Sequence, residues 1–193
     1  MVHTITPVVD GASSPKSPYW GSVALYTLGT TASAALFGLL LGTAGMLARA
    51  PWGSSGVAIV AVIASVYAAR ELFRLPIPLF DRRRQVPEWW RTFYSRPVAA
   101  VLYGLSLGIG FLTFLTFGSF VVVSVIALAS GSPVAGVVLC GSFGLARGLA
   151  VLAGASSSAR AAIENVSIRA AARLANGGAL VGVALVAVAA AWP

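Results

Sequence analysis

Four charged side chains lie inside stretches of the sequence that are otherwise apolar enough to cross a membrane. They are Arg70, Glu71 and Arg74 in one stretch and Arg147 in another. A charged group in the hydrocarbon of a bilayer is costly unless it is paired or hydrated, so such residues are candidates for a functional site. These four residues form the candidate intramembrane charge site of the chain.

The spacing of these residues allows two ways of neutralising their charges. Glu71 lies 14 residues after Val57, and Arg147 lies 13 residues after Val134, which places both about 20 Å along their helices. At this similar depth Glu71 can pair with Arg147, which leaves Arg70 or Arg74 to meet an anion, a lipid headgroup or water. Alternatively, both arginines reach the nearby membrane surface and Glu71 pairs with Arg74 one helical turn away.

The elements that must position these residues are long apolar segments. Hydrophobic residues make up 58% of the 193 residues and charged residues only 9%, against about 25% charged residues in a soluble domain. The sequence therefore predicts an all-α integral membrane protein with a single membrane domain, 19–193, after a polar N-terminal tail, 1–18. The predicted spans are about 19–47, 57–75, 98–129, 134–153 and 177–192.

The third predicted span is too long for a straight crossing. Its length of about 32 residues corresponds to a helix of about 48 Å, whereas the hydrocarbon core is about 30 Å thick. One interpretation is a single helix that tilts or protrudes, and the other is a helix that breaks and lines a site. The candidate break region consists of Gly108, Gly110, Thr113 and Thr116.

Arginine is concentrated in two of the predicted loops. Five arginines lie in 81–97 and three in 155–176, whereas the loops on the opposite side hold only Arg49. The positive-inside rule then predicts a plasma (inner) membrane protein with both basic loops and the N-terminus in the cytoplasm and the C-terminus outside.

The first basic loop also contains aromatic residues. It suits either an interfacial anchor on anionic lipid headgroups or a docking surface for a partner protein. We expect no nucleic-acid partner, because the basic residues fall in loops and at helix ends, where they set topology. The residues of this candidate interfacial or docking loop are Arg82, Arg83, Arg84, Trp89, Trp90 and Arg91.

The sequence contains a candidate internal repeat. A shift of 77 residues without a gap places Tyr26 on Tyr103 and Arg70 on Arg147. The match of an intramembrane arginine carries weight because arginine is rare in spans. The shift predicts a parallel two-helix repeat (segments 1–2 and 3–4) followed by a fifth helix, with shared membrane composition as the alternative.

Four pairs of glycines are spaced one helical turn apart, and such pairs let two helix backbones approach closely. They favour close packing within the chain, with a seam between copies as the alternative. The pairs are Gly38–Gly42, Gly104–Gly108, Gly144–Gly148 and Gly178–Gly182.

Few residues of this chain could carry out catalytic or metal chemistry. It has one histidine, His3, and one cysteine, Cys140. A His-based metal site needs several ligands, and a disulfide relay needs two thiols, so we predict neither and no cofactor. Only Glu71 could serve as a general acid or base inside a span, so the sequence favours a protein that is not an enzyme.

Two functions from different classes remain. The favoured prediction is a small transport or channel-like module for a small solute or ion, because charged residues within spans are default functional sites. The alternative is a non-catalytic subunit or assembly factor of a larger membrane complex, which fits the short loops and the basic aromatic loop. Both functions allow a homo-oligomer.

Overall fold

The computed structural model of the chain describes residues 16–77, 93–109, 118–153 and 166–191, and these ranges contain helices and turns but no strand. The predicted all-α class is confirmed. The helices are α1 (Lys16–Leu47), α2 (Ser54–Phe73), α3 (Arg96–Gly108), α4 (Ser119–Ala129), α5 (Pro133–Ala153) and α6 (Val166–Ala191).

Four of these helices, α1, α2, α5 and α6, are long and apolar enough to cross a membrane. Leucines and valines lie exposed on their outer faces, among them Leu40 on α1, Val62 on α2, Val138 on α5 and Val186 on α6. Exposed apolar side chains all along a helix are stable where the surrounding solvent is hydrocarbon. The protein is therefore an integral membrane protein whose outer faces contact lipid.

The helices are arranged as two packed groups that α4 connects. In the first group α1 packs against α5 and α3, and in the second α2 packs against α6. Phe120 of α4 is fully buried, stacks on Phe37 of α1 at 5.8 Å between ring centroids and lies 5.2 Å from Phe143 of α5. On its other side, α4 contributes Val121 and Val122 to a core that it shares with α2 and α6.

The long helices that pack against each other run in opposite directions. Gly38 of α1 lies against Gly136 of α5, and further along α5 Gly144 lies against Thr30, so these two helices are antiparallel. Gly177 of α6 contacts the side chain of Leu72 near the end of α2, and α6 then runs back along α2. The two shorter helices, α3 and α4, both run in the same direction as α1.

The third predicted span, 98–129, is two helices rather than one. The first, α3, ends at Gly108, and Ile109 has non-helical dihedral angles of φ −83° and ψ 90°. Gly29 of α1 lies against Gly104 of α3, and Gly45 of α1 lies against Leu128 of α4. These two contacts are 16 residues apart on α1 but 24 residues apart between α3 and α4. One continuous helix could not match both contacts, because it would be about 36 Å long beside about 24 Å of α1.

The last helix, α6, begins earlier than the fifth predicted span. It runs from Val166, although the span was predicted from residue 177, and the part that is long and apolar enough to cross a membrane is Ala171–Ala190. Residues 166–176 contain no glycine or proline, and alanine and arginine are good helix formers, so polar character alone does not end the helix. The segment predicted as a cytoplasmic loop therefore contributes the first turns of α6.

The turns between helices lie close to the predicted breaks. The turn between α4 and α5 contains Gly131 at φ +59°, a conformation that favours glycine, and a side chain there would collide with Ala50 of the turn between α1 and α2. At its other end, α2 stops at Phe73, and Arg74 has left-handed dihedral angles. This last turn places several arginines next to the start of α6.

Candidate charged site

The carboxylate of Glu71 is the centre of the candidate site. Its side chain is only 3% exposed. One carboxylate oxygen, Oε1, accepts a hydrogen bond from Nη1 of Arg70 at 2.6 Å and another from the backbone N–H of Gly118 at 3.2 Å. Glu71 thus joins α2 to the residue that immediately precedes α4.

Arg70 is held in place by the backbone beyond α2. Its Nε donates to the carbonyl oxygen of Ile77 at 2.9 Å, while Nη1 bonds Glu71, and 21% of the side chain is exposed. A guanidinium that donates in two directions fixes both partners. Arg70 therefore ties the chain after α2 back onto the buried carboxylate.

The contact with Gly118 explains why a carboxylate can be buried here. A negative charge next to the first turn of a helix is stabilised by the helix dipole, and α4 begins at Ser119. Gly118 also lies directly against the ring of Tyr67, one turn before Glu71 on α2, so a side chain at 118 would meet that ring. The close contact lets the carboxylate reach the Gly118 amide.

Arg74 and Arg173 lie beside this cluster. Together with Arg70, Glu71 and Leu75 they line a cavity of about 180 Å³ between the end of α2 and the beginning of α6. Arg173 was not predicted as a site residue, because it lies in a polar stretch that was expected on the cytoplasmic surface, in part as an amphipathic helix, and not in a span. The signal that could have found it is the absence of a helix-breaking residue between it and the fifth span.

Arg147, the fourth residue of the candidate site, lies elsewhere. It is a half-buried residue of α5, the helix that packs against α1. Glu71 is paired with Arg70, its neighbour in sequence, instead of with Arg147 or Arg74. The physical reason is the side-by-side arrangement of the helices in the bundle. Helix α5 packs mainly on α1, whereas α2 packs mainly on α6 and α4.

The two arginines that the 77-residue shift aligns therefore have different surroundings. Arg70 bonds a buried carboxylate between α2 and α4, whereas Arg147 lies on α5, which packs mainly on α1. The aligned Tyr26 and Tyr103, in contrast, are both buried in one cluster between α1 and α3. The repeat stays a prediction from the sequence.

Several predicted residues fall outside the part of the chain that the structure describes. Gly108 is the last residue of α3, but the rest of the candidate break region, Gly110, Thr113 and Thr116, is not described. The same holds for the interfacial or docking loop at Arg82, Arg83, Arg84, Trp89, Trp90 and Arg91.

The fold and the buried charges together define a small polytopic helical protein in which the only described carboxylate holds two helices together. Comparison with protein families specifies the class further. Residues 4–189 match the family described as cytochrome c biogenesis protein transmembrane region, and the chain belongs to this family. No solved structure matches the chain.

Several curated proteins resemble the chain over part of their length. It is 36% identical over 126 residues to the methylamine utilization protein MauF of Paracoccus versutus, a match that covers 65% of this chain and 45% of MauF. With MauF of Methylorubrum extorquens the identity is 31% over 152 residues, covering 74% of this chain and 50% of that protein. The chain spans about half the length of the curated relatives it matches.

The favoured prediction of a transport or channel-like module is wrong. The family is described by cytochrome c biogenesis and the relatives are named for methylamine utilization, and neither description concerns solute transport. The charged residues in the spans suggested transport, but in the structure Glu71 is engaged in contacts that join helices. The comparisons favour the alternative, a membrane subunit or assembly factor.

Proposed function

We propose that this protein is a non-catalytic membrane assembly factor that supports the maturation of a partner protein. The observation that carries the proposal is the family match, which extends from residue 4 to residue 189 and so covers nearly the whole chain. In this function the helical bundle holds or presents a partner while the partner matures. The chain itself forms and breaks no covalent bond.

The chemistry of the described residues supports a non-catalytic role. Glu71 is the only acidic residue in the described ranges, and its carboxylate is already engaged by Arg70 and Gly118. The other charged residues of the site are arginines, which stay protonated in proteins and do not serve as acid–base catalysts. Cys140 is fully buried in α5, and a single thiol cannot exchange a disulfide within the chain.

The names of the relatives suggest which partners to examine first. MauF proteins are named for methylamine utilization and the family for cytochrome c biogenesis. The candidates are therefore a protein of methylamine utilization and a c-type cytochrome. The basic aromatic loop of residues 81–97 is our candidate docking surface, and we place it in the cytoplasm, with the C-terminus outside, on the distribution of arginine.

The test combines native isolation with deletion of the gene. Gentle detergent extraction, native-gel sizing and identification of co-migrating proteins should give a stoichiometric partner. Deletion should lower the amount of a mature c-type cytochrome, measured by haem staining, or abolish growth on methylamine. Migration without any partner, together with unchanged cytochromes and unchanged growth, would contradict the proposal.

A cysteine variant separates assembly from thiol chemistry. Cys140→Ala should restore the deletion strain fully, because the proposed function needs no thiol, and Cys140→Ser is the polar matched control. If both variants reach wild-type levels in the membrane but fail to restore the deletion strain, the chain performs thiol chemistry and is not a passive assembly factor.

A further inference from the structure

The cavity at the end of α2 contains more positive charge than the described residues neutralise. Three arginines and one carboxylate line its volume of about 180 Å³. The carboxylate of Glu71 is paired with Arg70, so two guanidinium groups remain. Like charges in one cavity repel each other unless an anion or water lies between them.

The remaining guanidinium groups belong to Arg74 and Arg173. Both side chains are exposed, and neither has a hydrogen bond or ion pair within the described residues. Arg74 is fixed by the left-handed turn that ends α2, and Arg173 comes from the second turn of α6. The end of α2 and the beginning of α6 therefore bring two guanidinium groups to one cavity, and no described residue pairs with either of them.

A second polar group, on α6, lies close to this cavity in the fold without lining it. The side-chain amide nitrogen of Asn176, three residues after Arg173 on α6, is buried and donates to no acceptor in the described part of the chain. Its neighbour Gly177 lies against Leu72 and the Cβ of Glu71. A buried N–H without a partner is rare in folded proteins and calls for an acceptor such as an ion or water.

We propose that this cavity binds a phosphate-type anion, with Arg74 and Arg173 as the direct contacts. Arginine presents parallel N–H groups that match two oxygens of a phosphate, and such charge-assisted pairs are strong. Arg70 is already engaged by the Glu71 carboxylate and the Ile77 carbonyl, so the direct contacts are left to the other two arginines. This inference is independent of the proposed assembly function.

The phosphate group has two sources that the same chemistry would accept. One is the headgroup of an anionic phospholipid, and the exposed Phe73 and Leu75 on either side of Arg74 are compatible with its acyl chains. The other is free phosphate or a soluble phosphate ester. The two sources differ in whether the ligand must be embedded in a bilayer.

The experiment uses the full chain, delipidated in a neutral detergent, and measures thermal unfolding in two arms. In one arm inorganic phosphate is titrated at constant ionic strength. In the other, the protein is placed in nanodiscs of phosphatidylcholine alone or with about a third phosphatidylglycerol. The test variant is Arg74→Gln with Arg173→Gln. The matched control is Arg49→Gln, because Arg49 is also exposed and also has a left-handed backbone, at φ 58° against 56° for Arg74.

The wild-type protein and Arg49→Gln should be stabilised by the phosphate-containing ligand, and the double variant should bind it at least about tenfold more weakly. Stabilisation by phosphatidylglycerol alone identifies a lipid headgroup, and stabilisation by inorganic phosphate as well identifies a soluble ligand. The proposal is overturned if neither ligand stabilises the wild type, or if the double variant and Arg49→Gln respond equally. Unfolding of each variant without ligand shows whether it is folded, and Arg74→Lys with Arg173→Lys, which keeps the charge, should bind with intermediate affinity.

Discussion

Glycines at the same spacing play opposite roles in two regions of this bundle. On α1, a side chain at Gly38 would collide with the backbone of Gly136 on α5, and the reverse also holds. On α6, Gly178 and Gly182 have no atom within 4 Å of the position that a side chain would take. The same one-turn spacing thus produces a close backbone contact in one region and an open face in the other.

The difference shows that the spacing of glycines permits a close approach but does not choose the neighbour. The first group of helices is held by backbone contacts, which also include Gly29 against Gly104. The second group is held by side chains of moderate size, such as Leu180 and Ala184 of α6 against Ala64 and Ala68 of α2. Substitutions should therefore act very differently in the two groups.

The largest effect is expected for Gly38→Ala. The added methyl group meets a backbone carbonyl that cannot move without parting α1 from α5, so we expect a loss of about 3 kcal/mol in the free energy of unfolding. The matched control is Gly141→Ala in the same interface, where the new atom would lie 3.4 Å from the Cβ of Ala35, an ordinary contact. Thermal unfolding in detergent checks both, and equal stability of the two variants would contradict the close-contact interpretation.

A smaller effect is expected when the charged contact between the two groups is removed. Glu71→Ala leaves the Gly118 amide and Arg70 without their acceptor, which should cost about 2–3 kcal/mol. Glu71→Gln keeps an oxygen that can accept from Gly118 and should cost about 1 kcal/mol. Denaturation in a mild detergent measures the ranking. If Gln is as damaging as Ala, the charge rather than the hydrogen bond stabilises the contact.

The smallest effect is expected for Gly178→Ala and Gly182→Ala. Nothing blocks the new methyl groups, and alanine is the better helix former, so the free energy of unfolding should stay unchanged or rise by up to about 1 kcal/mol per site. The measurement is the same unfolding experiment on the monomeric protein. A loss of stability comparable with that of Gly38→Ala would show that this face of α6 is packed in the folded protein.

The sequence predicts the ends of helices well where a glycine or proline turn separates two apolar stretches. The turn at Gly131 lies between two apolar stretches, and α5 runs Pro133–Ala153 where a span was predicted at about 134–153. The break after Gly108 was one of two open interpretations, because it depends on how α3 and α4 pack along α1. The start of α6 was predicted too late, because the polar residues before 177 were placed outside the span. A helix can extend beyond the hydrocarbon, so polar residues do not mark its end.

Three of the four residues predicted for the candidate site line one cavity, whereas Arg147 lies elsewhere and Arg173 was not predicted. Arg70, Glu71 and Arg74 can be predicted as site candidates because charged side chains within an apolar stretch are costly to place in a membrane. Periodicity gives the depth of Glu71 and Arg147, but it does not say which helices are neighbours. The contact between Glu71 and Gly118 follows only from which helices are neighbours. The same holds for the placement of Arg74 and Arg173 in the lining of one cavity.

The adjacency of Arg70 and Glu71 has a consequence for how the chain enters the bilayer. Two residues that are neighbours in sequence can form their ion pair within α2 alone, before any later helix has been synthesised. The second helix is then inserted with a neutral pair instead of two separate charges, which lowers the cost of transfer into hydrocarbon. The carboxylate can still accept a further hydrogen bond, which forms once Gly118 has been synthesised and packs against α2. The earlier helix therefore already holds the acceptor that later positions the start of α4.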